Sequence, residues 1–130
     1  MADMLPRLFF AHFRSTSFVA EADDQVVGFL VGFRSQTSPD QAYVHFVGVD
    51  PSWRKAGVAR ALYERFFAAA RDLGCAEVLG VTSPVNGGSI AFHSAMGFER
   101  LPGDATAGGI PYTIDYDGPG EHRVRLRRRL

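Results

Sequence analysis

The run HFVGVDPSWRKAGVARAL, from His45 to Leu62, constrains this chain more than any other stretch. Tyr43 to Val49 reads as a hydrophobic strand, and Asp50-Pro51 breaks it. Val58, Leu62, Phe66, Ala69 and Leu73 then recur at helical spacing, widened by Tyr63 and Phe67, which predicts a helix over 55–73 with one core-facing stripe. Gly74 is the expected stop. Glu77 to Thr82 is short and mostly apolar, as a central parallel strand is. A strand, a helix and a second parallel strand form a right-handed crossover.

Around that unit the chain reads as hairpins and two further helices. Residues 3–14 predict a short helix with Leu5, Leu8, Phe9, His12 and Phe13 near one face. Ser17 to Ala22 and Gln25 to Arg34 are apolar, β-branched runs flanking Asp23-Asp24, a hairpin pattern. Asn86 to Met96 predicts a helix that Gly97 ends. Phe98 to Leu101 and Ile110 to Tyr116 predict strands, and Asp117-Gly118-Pro119-Gly120 a turn. Val124 and Leu126 alternate with Arg123, Arg125 and Arg127, the pattern of a half-buried final strand. The fold class is therefore α/β, with a mixed, mainly antiparallel sheet, a central parallel pair and flanking helices.

Composition limits the function classes. The 130 residues suit one domain, 1–130, with one core. Formal net charge is zero, which argues against bulk capture of nucleic acid, although five arginines crowd 123–129. No apolar run approaches the roughly 20 residues of a membrane helix, and no leader pattern opens the chain. The one cysteine, Cys75, excludes an internal disulfide and fits a reducing, cytoplasmic setting. His12, His45, His93 and His122 have no metal-ligand spacing, so no metal is expected.

The turn between strand and helix raises a chemical question. The first turn of a helix has N–H groups without intrahelical acceptors, and an anion is favoured there. Ala56, Gly57 and Ala59 are small enough for close approach, and Arg54 and Lys55 supply cations. The stretch is neither a GxGxxG turn nor a GKS/GKT loop. On chemistry alone an anion site and a tight packing turn stand side by side.

Arg54-Lys-Ala-Gly57-Val-Ala59 resembles the R/Q-x-x-G-x-G/A signature of the GNAT superfamily, the acetyl-CoA-dependent N-acetyltransferases. Val47-Gly-Val49-Asp-Pro51 resembles the approach to that signature. Asn86-Gly-Gly-Ser89-Ile-Ala-Phe92-His93, running on to Gly97-Phe98, resembles the second signature, N-x-x-(A/S)-x-x-(F/L)-Y-x-x-x-G-F. The resemblance implies a splayed parallel strand pair with acetyl-CoA in the gap. It implies that the N–H groups from Lys55 through Ala56, Gly57, Val58 and Ala59 to Arg60 hold the diphosphate, with Arg54 beside them. Val47 and Val49 would pair with the pantetheine arm, and the Val47 N–H would polarise the acetyl carbonyl. Asn86, Ser89 and Phe92 complete the implied cofactor set.

Direct attack of a neutral amine on the thioester needs positioning, a proton acceptor, an oxyanion donor and a fate for the thiolate. Where many relatives have tyrosine, this chain has His93, which reads either as the thiolate's proton donor or as a packing histidine. Tyr43 stands near the position where some relatives carry a glutamate base. Strict alternation puts Tyr43, His45, Val47 and Val49 on one face, making His45 a candidate base, with Glu21 or a water chain as substitutes.

The first strand and helix usual in the family are not evident before Ser17, which suggests an open acceptor cleft and an uncovered sheet edge suited to a homodimer. The acceptor amine is not legible, although the loop from Pro102 to Pro111 is expected to shape its site. Two other functions compete with acetyl transfer: a CoA-binding module without turnover, and an interaction domain using the arginine-rich end.

Overall fold

The computed structural model describes residues 7–130, so residues 3–6 of the expected first helix, Leu5 among them, lie outside the described residues. Among the described residues there are three α-helices: α1 (Arg7–His12), α2 (Val58–Asp72) and α3 (Gly87–Ala95). The strands are β1 (Phe18–Ala22), β2 (Gln25–Arg34), β3 (Gln41–Val49), β4 (Glu77–Thr82), β5 (Glu99–Arg100), β6 (Ala105–Ala107), β7 (Ile110–Tyr112) and β8 (Val124–Arg129). A six-stranded mixed sheet has the order β1-β2-β3-β4-β8-β5, with β3 and β4 parallel, and β6-β7 forms a separate two-stranded ribbon. The mixed α/β class expected from the sequence is the class observed. Contacts divide the chain into two compact units, one of residues up to Val78 with Leu130, the other Leu79–Arg129.

In the first unit, β2 is the centre. Its buried stretch from Val27 to Gly32 has α2 on one face and α1 on the other. Helix α2 buries Leu62, Tyr63, Phe66, Phe67 and Ala70, whereas Val58, Ala69 and Leu73 of the stripe predicted from spacing are half-buried. Two glycines permit its approach. A Cβ at Gly28 would lie 2.8 Å from Cγ1 of Val58, and one at Gly32 would lie 2.6 Å from Cε2 of Phe66 and from the Tyr43 carbonyl oxygen. On the opposite face Phe9, Phe29 and Val31 form a cluster flanked by Phe10, Phe13 and Phe33. Thr16 closes that corner by donating to the Gly32 carbonyl at 2.6 Å. The N–H groups of Ala76 and Glu77 both donate to the Asp40 carbonyl, which fixes the start of β4.

Strand β3 departs from strict alternation. Val31 pairs with Phe46 but Gly32 pairs with Val44, so His45 is an extra residue, a β-bulge. Phe33 then faces Tyr43 and Leu30 faces Val47. Leu30 and Phe33, three apart on β2, project to opposite faces, and their partners do the same. The expectation that Tyr43, His45, Val47 and Val49 share one face is therefore corrected. Tyr43 and His45 lie on the α1 face, where their rings stack on Phe33 and Phe9 at 5.4 and 5.1 Å. Val47 and Val49 project to the α2 face, with Leu30 and Gly28.

In the second unit, α3 opens on Asn86, whose side chain accepts from the Ser89 N–H at 3.0 Å. Val124 and Leu126 of β8 are buried as the alternation predicts, and β8 continues to Arg129. The predicted strand 110–116 is shorter. β7 ends at Tyr112, Thr113 bridges to Arg123, and Asp115 turns the chain at φ 53°. Part of the loop expected at 102–111 is the β6–β7 hairpin, turned by Gly108-Gly109, both at positive φ.

Candidate active site

The strand-to-helix connection in the first unit is built in three steps. Asp50 accepts from the N–H and hydroxyl of Ser52 at 2.9 and 2.6 Å and caps a single 3-10 turn, Pro51–Trp53. These bonds, the hydroxyl's first, hold its carboxyl below the ordinary value. Lys55 and Gly57 then both take left-handed conformations, φ 71° and 82°. Helix α2 therefore starts at Val58, three residues later than its periodicity suggested. Gly57 is its N-cap and provides no side-chain bond to the first turn. The N–H groups of Val58, Ala59 and Arg60 have no acceptor within the helix, since the first helical bond runs from the Ala61 N–H to the Gly57 carbonyl. The Ala56 N–H is engaged with the Trp53 carbonyl at 3.3 Å.

The sequence candidates thus separate within this turn. Arg54, Lys55 and Arg60 are exposed cations around an uncapped helix start. Gly57 leaves open space, since a Cβ there would meet nothing within 4 Å. Within the run from Lys55 to Arg60, the Ala56 N–H already has an acceptor, and the N–H groups of Val58, Ala59 and Arg60 lack one inside the helix. Sequence spacing could not show that two left-handed residues precede the helix, although Gly57 is a signal for one of them.

The candidate proton acceptors of the first unit differ in setting. Tyr43 is half-buried under Phe33. His45 is exposed, with its ring nearly parallel to Phe9 at 14°. Glu21 is exposed on β1. Phe46, next to the bulge, is 41% exposed and stacks on Phe29 at 5.8 Å, a feature alternation would have hidden. Cys75 is buried with its thiol 3.6 Å from the Pro39 carbonyl, and burial pushes the thiol up.

The second unit holds a polar chain around His93. Its Nδ1 lies 2.7 Å from the Ser89 carbonyl oxygen and 3.2 Å from the Ser89 hydroxyl. That hydroxyl in turn bonds Thr82 at 2.9 Å. A carbonyl only accepts, so Nδ1 carries the hydrogen, and in the neutral ring Nε2 carries the lone pair. The ring meets Phe98 and Phe92 edge-on at 5.1 and 5.5 Å. Burial lowers the His93 pKa, partly offset by the bond to Ser89. Thr82 was not picked out by the sequence, whereas the i, i+4 spacing of Ser89 and His93 on a helix was available as a signal.

The chain has recognisable relatives among known proteins. The Acetyltransferase (GNAT) family matches residues 2–98. An L-2,4-diaminobutyric acid acetyltransferase of Nocardia farcinica is 34% identical over 88 residues, 68% of this chain and 46% of that protein. The probable N-acetyltransferase family 8 member 5 of Mus musculus is 33% identical over 103 residues, 77% of this chain and 44% of that protein. The chain thus spans under half the length of these relatives. Naa20 of Chaetomium thermophilum, solved in complex with a bisubstrate analogue, superposes with a TM-score of 0.77 at 23% identity, covering 95% of this chain and 70% of that one. That likeness is one of fold.

Proposed function

Because the chain belongs to the GNAT acetyltransferase family, we propose that it transfers an acetyl group from acetyl-CoA to a primary amine on a small molecule or peptide. The observation that carries this reading is the uncapped start of α2, set behind left-handed Lys55 and Gly57 and flanked by Arg54 and Arg60. That geometry suits a diphosphate, which needs close approach, several N–H donors and positive charge. The amides of Val58, Ala59 and Arg60 are the donors, Arg54 and Lys55 the cations, and Ala56 and Gly57 the room. The Val47 N–H is assigned to the acetyl carbonyl, and Val47 and Val49 to the pantetheine arm. Asn86 keeps its Nδ2 donors for a cofactor amide while Oδ1 caps α3. Ser89 and Phe92 hold His93 and its surroundings.

The amine must arrive neutral and lose a proton on attack. On the α1 face His45 is an exposed imidazole and Tyr43 a shielded phenol, so His45 is the better acceptor there, with water and Glu21 as substitutes. His93 is less suited than expected to protonating the thiolate, since neutral His93 has its lone pair at Nε2 and burial opposes the imidazolium. We assign it to positioning, and the thiolate to solvent. The two units act together as one N-acetyltransferase domain in this reading, in the reducing cytoplasm that a lone buried thiol suits.

A CoA-binding module without turnover is the second reading, favoured by the absence of a carboxylate at Tyr43. The arginine-rich end gives little support to a nucleic-acid surface. Arg123 pairs with Asp117 and Glu121, Arg125 lies over Tyr116, and Arg127 pairs with Glu99. The experiment is thermal stabilisation by acetyl-CoA followed by thiol release with a panel of amines. Stabilisation with release supports the enzyme, stabilisation without release supports the module, and no stabilisation overturns both.

A further inference from the structure

We propose that β1 is a self-complementary edge through which two copies of this chain pair antiparallel about a two-fold axis. β1 ends the order of the six-stranded sheet, so one side of its backbone has no neighbouring strand among the described residues. Such an edge is a template for a further strand. Beside it runs a groove of about 520 Å³ between β1 and α2, whose lining is largely apolar and includes Phe18, Ala20, Val27, Val58 and Leu62. Phe18 and Ala20 pair with Leu30 and Gly28, which puts both on the α2 face. A two-fold axis normal to the sheet beside Ala20 keeps the α2 faces of both copies on one side. It brings Phe18 of one copy opposite Ala22 of the other, and the α2-facing side chains of each β1 extend toward the other's groove.

Charge selects the second copy over another extended chain. The Phe18 end of β1 is basic: the Arg65 guanidinium lies 5.4 Å over the Phe18 ring, and exposed Arg14 stands in the turn just before. The Ala22 end is acidic, with Glu21 on the strand and Asp23-Asp24 in the hairpin turn, all exposed. Antiparallel pairing sets each basic end against an acidic one, twice by symmetry. Parallel pairing would set like charge against like. Val19, 43% exposed, would be covered on the other face.

The proposal does not require acetyl transfer, although the groove shares Ala56, Gly57 and Val58 with the proposed diphosphate site. Its test is sedimentation equilibrium of the full chain from low to high micromolar concentration, in low and high salt. A dimer that salt weakens is expected. Arg65→Glu and Asp23→Lys each weaken it about tenfold or more, and the two together restore it. Because Asp23 has a positive φ of 53°, folding of each variant is checked by circular dichroism. Should a variant fail that check, hydrogen exchange on the unaltered chain decides, with amides of Phe18–Ala22 slowing as concentration rises. A monomer throughout, a dimer indifferent to both substitutions, or β1 amides whose exchange ignores concentration overturns the proposal.

Discussion

The carbonyl oxygen of Ser89 lies 2.7 Å from Nδ1 of His93, one helical turn further on, and this contact fixes which ring nitrogen bears the hydrogen. The lone pair of the neutral ring then sits on Nε2. If His93 were the acid of the reaction, turnover would fall as pH rises through its depressed pKa, and His93→Phe would abolish that descending limb. We expect no such limb at saturating amine, and similar alkaline profiles for His93→Phe and the unaltered chain. Steady-state rates across pH check this, and a descending limb lost in His93→Phe restores the acid role.

The same residue couples folding to pH. Its folded pKa is lowered by burial below the ordinary 6.5, so the unfolded chain binds more protons between the two values. The contribution is complete above 6.5 and is lost as pH falls through the folded value. Urea unfolding at a series of pH values should show an acid-side loss that His93→Phe reduces.

Gly32 is a packing position with no slack. An added methyl would sit 2.6 Å from both Phe66 and the Tyr43 carbonyl, and backbone cannot swing aside as a side chain can. Gly32→Ala is expected to cost about 1–3 kcal/mol in urea unfolding. Gly57→Ala meets nothing within 4 Å, so its cost is the left-handed φ alone, about 1 kcal/mol. Its larger effect should be on cofactor affinity, by calorimetry with CoA, because the methyl narrows the approach to the α2 amides.

Asn86 has two separable jobs. Asn86→Ala removes the cap on the Ser89 N–H and should lower stability by about 1 kcal/mol. Asn86→Asp keeps the capping oxygen but loses the amide donors. Retained stability with weaker CoA binding is expected, measured by thermal unfolding and calorimetry.

Much of this was legible beforehand because period and punctuation agree. The α2 stripe, the β1–β2 hairpin around Asp23-Asp24, the Asn86 start of α3 and the buried Val124 and Leu126 follow from alternation, helical spacing and turn residues. The bulge at His45 was not legible, because one inserted residue leaves the hydrophobic pattern of β3 nearly intact while reversing the face of all that follows. The left-handed Lys55 was equally hidden, since lysine gives no hint of positive φ. The polar chain from Thr82 to His93 joins a strand end to a helix, and tertiary placement alone reveals it.

Amide chemical-shift mapping of the labelled chain titrated with CoA is the most direct test. The N–H signals of Val58, Ala59 and Arg60 are expected to move most, with Gly57 beside them, and Gly57→Ala to suppress the movement. CoA binding that leaves those amides still, or no binding at all, contradicts that expectation.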